Sequence, residues 1–177
     1  MSVRKEAWEW TRSILIAIVL ALVIRLFLLE VFVVEGRSMY PTLHEDERLM
    51  VNKTAYRFGE PEVGDIVVFE FDPRRDFIKR IIGVAGDTVS ISGGQVYLNN
   101  EPLDEPYLPP GTEMYDFDPV EVPPGYIFLL GDYRSNSMDS RDPRVGFVSE
   151  ELLKGKAFFV FWPPFEARVI RSEGGQP

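Results

Sequence analysis

The chain contains no cysteine. That excludes disulfides, thiolate metal sites, a cysteine nucleophile and a lipidated N-terminal cysteine, while leaving the cellular compartment open. Histidine is nearly as scarce: His44 is alone, so a histidine-rich metal centre is excluded as well. Positive charge is in deficit, with 19 Lys and Arg against 28 Asp and Glu and a net charge of −9. Nucleic-acid binding needs a concentrated basic patch, and this balance argues against it. There is no internal repeat and no low-complexity tract. Long apolar runs are missing too: the longest near the N-terminus, Ile14 to Ile24, is shorter than the roughly 20 residues needed to cross a hydrocarbon core.

What is present starts with that run. Extended from Trp10 to Leu29 it reaches about the spanning length. Arg25 lies near the end, where a long side chain can reach the headgroups, and Trp8 and Trp10 suit the opposite interface. The reading is a single transmembrane anchor over 13–30 after a short cytoplasmic segment, 1–12. A helix lying in the interface is the alternative. Arg4, Lys5 and Arg12 also fit the charged start of a secretory signal peptide, but no A-x-A cleavage site follows, so the anchor is read as retained. The basic residues favour a cytoplasmic N-terminus, only slightly because Arg37 and Arg48 follow. Residues 31–171 would then form an extracytoplasmic domain, followed by a frayed tail at 172–177.

That domain reads as mostly β, built of twisted antiparallel sheets. Asp65–Phe71 is a β-branched and aromatic run entered through Gly64, and Phe77–Val84 is another, closed by Gly86-Asp87. Thr88–Ser92 and Gln95–Asn99 flank Gly93-Gly94, the pattern of a tight hairpin. Tyr126–Leu130 and Ala157–Trp162 follow. The stretch from Asn100 to Pro124 is dense in proline and acidic residues, with little alternation, and reads as an irregular excursion. The 13 phenylalanines fit aromatic-rich strands or a membrane-facing surface, and Phe158, Phe159, Phe161, Trp162 and Phe165 suit either role equally.

Three groups of residues could carry chemistry. Ser38 sits in Gly36-Arg37-Ser38-Met39-Tyr40-Pro41, a turn that presents its hydroxyl, which becomes a nucleophile only if a neighbour takes its proton. Lys79 and Arg80 interrupt the apolar Phe77–Ile82 strand. Alternation puts Lys79 on the face of Phe77 and Ile81, and Arg80 on that of Ile78 and Ile82, so periodicity does not choose between them. Acid–base chemistry does: a desolvated lysine can become a neutral base, whereas arginine stays protonated. The third group is the polar loop from Gly131 to Arg141, where Asp139 and Arg141 can pair and a hydroxyl can orient an amine. Read singly, each has a plain structural alternative: a turn serine, a lysine reaching solvent from a strand edge, a polar surface loop. His44 lies in a polar stretch and makes a poor triad member. Asp116 and Asp118 are read as solvated.

Taken together these residues resemble the bacterial type I signal peptidases, membrane-anchored Ser/Lys proteases that remove secretory signal peptides. The resemblance covers nearly the whole chain in order: the anchor, GRSMYPTL at 36–43, GDIVVF at 64–69, KRIIGVAGD at 79–87 and GDYRSNSMDSRDPRVGFV at 131–148. It implies Ser38 as nucleophile, Lys79 as general base, Ser137 as the hydroxyl orienting the lysine, and Asp139–Arg141 as a structural ion pair. Gly36 stands where some members carry a serine that helps form the oxyanion hole, so a different donor is expected here. The short excursion is like that of compact members. The implied partners are secretory preproteins and the lipid bilayer, with no metal, cofactor or nucleic acid. The rivals are a self-cleaving Ser/Lys repressor, disfavoured by the anchor and the acidic charge, and a membrane-tethered β-domain that binds without catalysis.

Overall fold

One N-terminal helix and two antiparallel sheets make up the computed structural model, which describes residues 3–23 and 28–174, with side chains over 8–22 and 28–174. Helix α1 (Val3–Val23) contains the first part of the apolar run, and its side chains from Trp8 to Leu22 are all exposed. The larger sheet begins with β1 (Leu29–Val33), which pairs antiparallel with β2 (Arg48–Asn52). A single-turn helix α2 (Ala55–Phe58) leads to β3 (Ile66–Asp72) and β4 (Arg75–Gly83), a long hairpin. The chain then leaves for the smaller sheet: β5 (Thr88–Ser92), β6 (Gln95–Leu98), β7 (Glu101–Pro102) and β8 (Phe117–Glu121). It returns through β9 (Tyr126–Leu130), β10 (Val148–Ser149), β11 (Leu153–Trp162) and β12 (Arg168–Val169). The large sheet runs β1-β2-β11-β3-β4-β9-β10, with β12 against β11, and the small one runs β7-β6-β5-β8.

The continuous apolar runs follow from burial on both faces of a strand. In β3, Ile66 and Val68 pack with Met39, Leu43, Leu49 and Val51, while Val67 and Phe69 pack with Ile81, Ile127 and Leu129. In β9, Phe128 and Leu130 turn instead to the small sheet, against Val89, Ile91 and Val96. One strand thus joins two cores and fixes the small sheet to the large one.

Three expectations are corrected. The anchor expected over 13–30 does not extend to Glu30, because Leu29 and Glu30 pair with Asn52 and Val51 in β1. Among the described residues no helix is long and apolar enough to cross a membrane; residues 24–27 of the expected span lie outside them. The excursion is not irregular throughout: Phe117–Glu121 pairs with β5, and the alternation of this strand is hidden because Phe117 and Val120 alone of its five residues pack against the core. The tail is tied down as far as Gly174. Ser172 Oγ donates to Asp65 at 2.6 Å, and the Glu173 backbone lies so close to Gly64 that a Cβ there would reach its carbonyl.

Candidate active site

β1 opens the strand order and β4 comes fifth, yet both line one groove of about 620 Å³. Val31, Phe32 and Val33 form one side, Phe77, Ile78 and Lys79 the other, and Ser38 and Met138 also contribute. The outer edge of β1 has no partner strand among the described residues. An unpaired edge along a groove is a template for an extended peptide.

Ser38 and Lys79, 41 residues apart, meet in this groove. Lys79 Nζ donates to Ser38 Oγ at 2.7 Å and to the Ile78 carbonyl at 3.0 Å. The lysine faces Val67 across the β3–β4 ladder and is 3% exposed. Burial lowers its pKa from 10.5 to about 8, and the carboxylates of Asp139 and Asp132 pull weakly the other way. Its ammonium also lies 5.1 Å from the Phe77 ring centroid. A proton acceptor with a pKa near 8 beside a hydroxyl is the arrangement that activates a serine without histidine. His44 is elsewhere, with Nε2 3.1 Å from the Pro41 carbonyl.

The loop after β9 clamps the Ser38 turn. Tyr133 N–H donates to the Ser38 carbonyl at 3.0 Å. Gly131 lies so near the Ser38 carbonyl and Ser137 Oγ that a Cβ would collide with both. Ser137 Oγ itself is buried and finds no hydrogen-bond partner among the described residues. The contact expected between Ser137 and Lys79 is therefore not formed: the amine directs its hydrogen bonds to Ser38 and Ile78 instead. Asp139 is fully buried, accepts from Gly131 N–H at 3.0 Å, and is gripped by Arg141 through Nε at 2.8 Å and a terminal nitrogen at 2.7 Å. Gly36 has φ +79° and open space around it, so its conformation, not crowding, suits glycine there. Among the described residues no acceptor takes the Ser38 N–H.

Sequence reasoning missed the support behind the pair. Arg80 points away from Lys79 into a closed cluster, where it binds Asp132 at 3.0 and 2.8 Å and stacks on Tyr107 with its guanidinium 3.6 Å from the ring centroid. Thr42, four residues past Ser38, donates to the same Asp132 at 2.5 Å. Arg134 bridges the Gly131 carbonyl and Glu105 of the excursion. These contacts join the serine turn, the lysine strand and the 131–141 loop in one buried network. The only signal in the sequence was a charged residue in an apolar strand; its partner is 52 positions away and invisible to spacing.

Comparison with known proteins supplies the family. The model for signal peptidase, peptidase S26, matches residues 7–162. Signal peptidase I of Bacillus amyloliquefaciens is 44% identical, over 93% of this chain and 90% of its own length. Signal peptidase I S of Bacillus subtilis (strain 168) is also 44% identical, over 95% of this chain and 96% of its own. A crystal structure of a signal peptidase I from Enterococcus faecalis V583 aligns with 55% of this chain and 96% of its own, at 33% identity and a TM-score of 0.48.

Proposed function

Since the chain belongs to the signal peptidase family, peptidase S26, we propose that it is a serine endopeptidase that removes signal peptides from secretory preproteins, with Ser38 as nucleophile and neutral Lys79 as general base. The observation that carries this reading is the 2.7 Å hydrogen bond between Lys79 Nζ and Ser38 Oγ at a buried, low-pKa amine beside an open strand edge. The preprotein lies extended along β1, and small side chains before the cut settle on Val31, Val33 and Ile78. Lys79 takes the Ser38 proton as Oγ attacks the scissile carbonyl. The C–N bond then breaks and the same proton passes from Lys79 to the departing amine. A water, deprotonated by the freed lysine, cleaves the ester and regenerates Ser38. The unengaged Ser38 N–H serves the oxyanion, since Gly36 brings no hydroxyl. The Ser137 hydroxyl, without a partner beside the nucleophile turn, receives an N–H of the lysine when the amine is protonated. The Asp139–Arg141 pair holds the loop against Ser38.

The exposed apolar side chains of α1, from Ile14 to Leu22, support attachment to the cytoplasmic membrane. The basic residues Arg4, Lys5 and Arg12 support a cytoplasmic N-terminus, with the β domain working at the outer face. The test is cleavage of a preprotein carrying an A-x-A site by the full chain in detergent, beside Ser38→Ala. Cleavage after the second alanine that disappears in the variant supports the reading. A folded wild type that cuts no preprotein would point to a tethered, non-catalytic binding domain.

A further inference from the structure

The serine turn borders a second hollow, of about 520 Å³, lined by Arg37, Tyr40, Leu43, His44, Glu45 and Tyr133. Arg37 lines this hollow and the groove of Ser38 alike. Followed from β1, the backbone runs along the groove, passes Ser38, and then walls the hollow with Tyr40, Leu43 and His44. The two spaces therefore lie on successive sides of the nucleophile turn. The walls of the second are held in place. Tyr40 packs on His44 with ring centroids 5.4 Å apart and meets Tyr133 edge-on at 6.2 Å, while Leu43 forms a fully buried floor. Tyr133 is fixed by its own N–H bond to the Ser38 carbonyl. Yet Tyr40 keeps 49% and Tyr133 37% of its surface exposed, so both members of the aromatic pair retain open surface.

A peptide cut by a serine has its acyl residues on one side of the nucleophile and its departing residues on the other. The position of α1 tells which is which. The apolar part of a signal peptide precedes the cut, and α1, with its exposed apolar side chains, is the element before β1 in the chain. Residues before the cut thus occupy the β1 groove nearer the lipid, and residues after it leave past Tyr40.

We propose that the Tyr40–Tyr133 hollow receives the first residues of the mature polypeptide and selects an apolar or aromatic side chain directly after the cut. The inference rests on the peptidase reading above. Two partly exposed tyrosine rings above a leucine favour such a side chain by aromatic and apolar contact. Arg37 and Glu45 carry opposite charges, so the two lining charges sum to zero and neither sign of side chain is favoured by net charge.

The experiment uses the full chain in detergent and two peptides identical except for Phe or Gly at the first position after the cut. A methyl ester of the shared acyl segment, whose leaving group is methanol, is the third substrate. The wild type is expected to favour the Phe peptide over the Gly peptide by about tenfold in kcat/KM, the discrimination an apolar pocket gives. The ratio is taken within each variant, so loss of folded protein cancels. It should fall to near one in Tyr40→Ala and stay close to wild type in Tyr40→Phe. Equal cleavage of both peptides by the wild type, or a wild-type ratio in Tyr40→Ala, overturns the proposal while leaving the peptidase intact. Failure of the wild type on all three substrates overturns the peptidase reading, and this inference with it.

Discussion

Replacing Lys79 with methionine, an unbranched neutral side chain of similar reach, tests whether burial keeps the amine ready to deprotonate. The folded protein holds this lysine at a pKa of about 8, against an ordinary value of 10.5. The unfolded chain therefore binds more protons than the folded one between these two values, and wild-type stability should rise with pH through that window. Below pH 8 the burden of the buried amine is fully present; above pH 10.5 it is gone. With 1.36 kcal/mol per pKa unit, the cost is about 3 kcal/mol at pH 7, about 2 at pH 9 and below about 1 at pH 10. Methionine carries none of it. The variant loses the hydrogen bonds to Ser38 and Ile78, but that loss is a constant offset in pH. Groups titrating in both proteins cancel in the difference. Denaturant unfolding of both full chains in the same detergent, followed by circular dichroism from pH 7 to pH 10, should show the stability difference moving toward the wild type by about 2–3 kcal/mol across that range. Parallel stability curves for the two proteins would refute the depressed pKa, and with it the neutral-base mechanism.

The same pKa predicts that kcat/KM rises about tenfold between pH 7 and pH 9 and then levels, as the neutral fraction of Lys79 grows from about a tenth to nine tenths; a rate independent of pH over this range would count against lysine as the base. Lys79→Arg should be folded and inactive, since a guanidinium does not give up its proton; measurable cleavage by this variant would remove the neutral lysine from the mechanism. Gly131→Ala should lower both activity and melting temperature, because the new Cβ meets the Ser38 carbonyl and Ser137 Oγ at once; a wild-type rate would show that the loop yields freely. Arg80→Met leaves Asp132 buried without its partner and should cost about 3–5 kcal/mol, while adding Asp132→Leu should recover part of that loss; equal stability of the single and double variants in denaturant would exclude an uncompensated charge as the cause.

Much of the β domain was legible because strand signals are local. The runs read at Asp65–Phe71, Phe77–Val84 and Tyr126–Leu130 carry apolar residues on both faces and overlap β3, β4 and β9, and the Gly93-Gly94 hairpin has turn residues where they are needed. The first two residues of β1, Leu29 and Glu30, fall within the expected anchor because the apolar run continues past the helix; only the pairing with β2 marks where the strand begins. Strand β8 was lost among prolines and acids, since it buries only part of one face against β5. The polar tail gave no hint of holding Gly64 and Asp65, because a backbone approach leaves no mark in composition.

By itself the sequence determined the chemical repertoire. The absence of cysteine excluded a thiol nucleophile and a lone histidine in a polar turn disfavoured a Ser/His/Asp triad, leaving Ser38 and Lys79 as candidates that the family resemblance then singled out. It also placed Ser38 in a turn and Lys79 in an apolar strand, the setting that discourages a charged amine. The tertiary structure decided how each of the two neighbouring cations is placed, Lys79 against the serine and Arg80 away from it. The β3–β4 register turns Lys79 into the groove that β1 and β4 both line, and the same pleat sends Arg80 to Asp132. Alternation along one strand says that two neighbours face opposite ways; only the strands packed around it say what each of them faces.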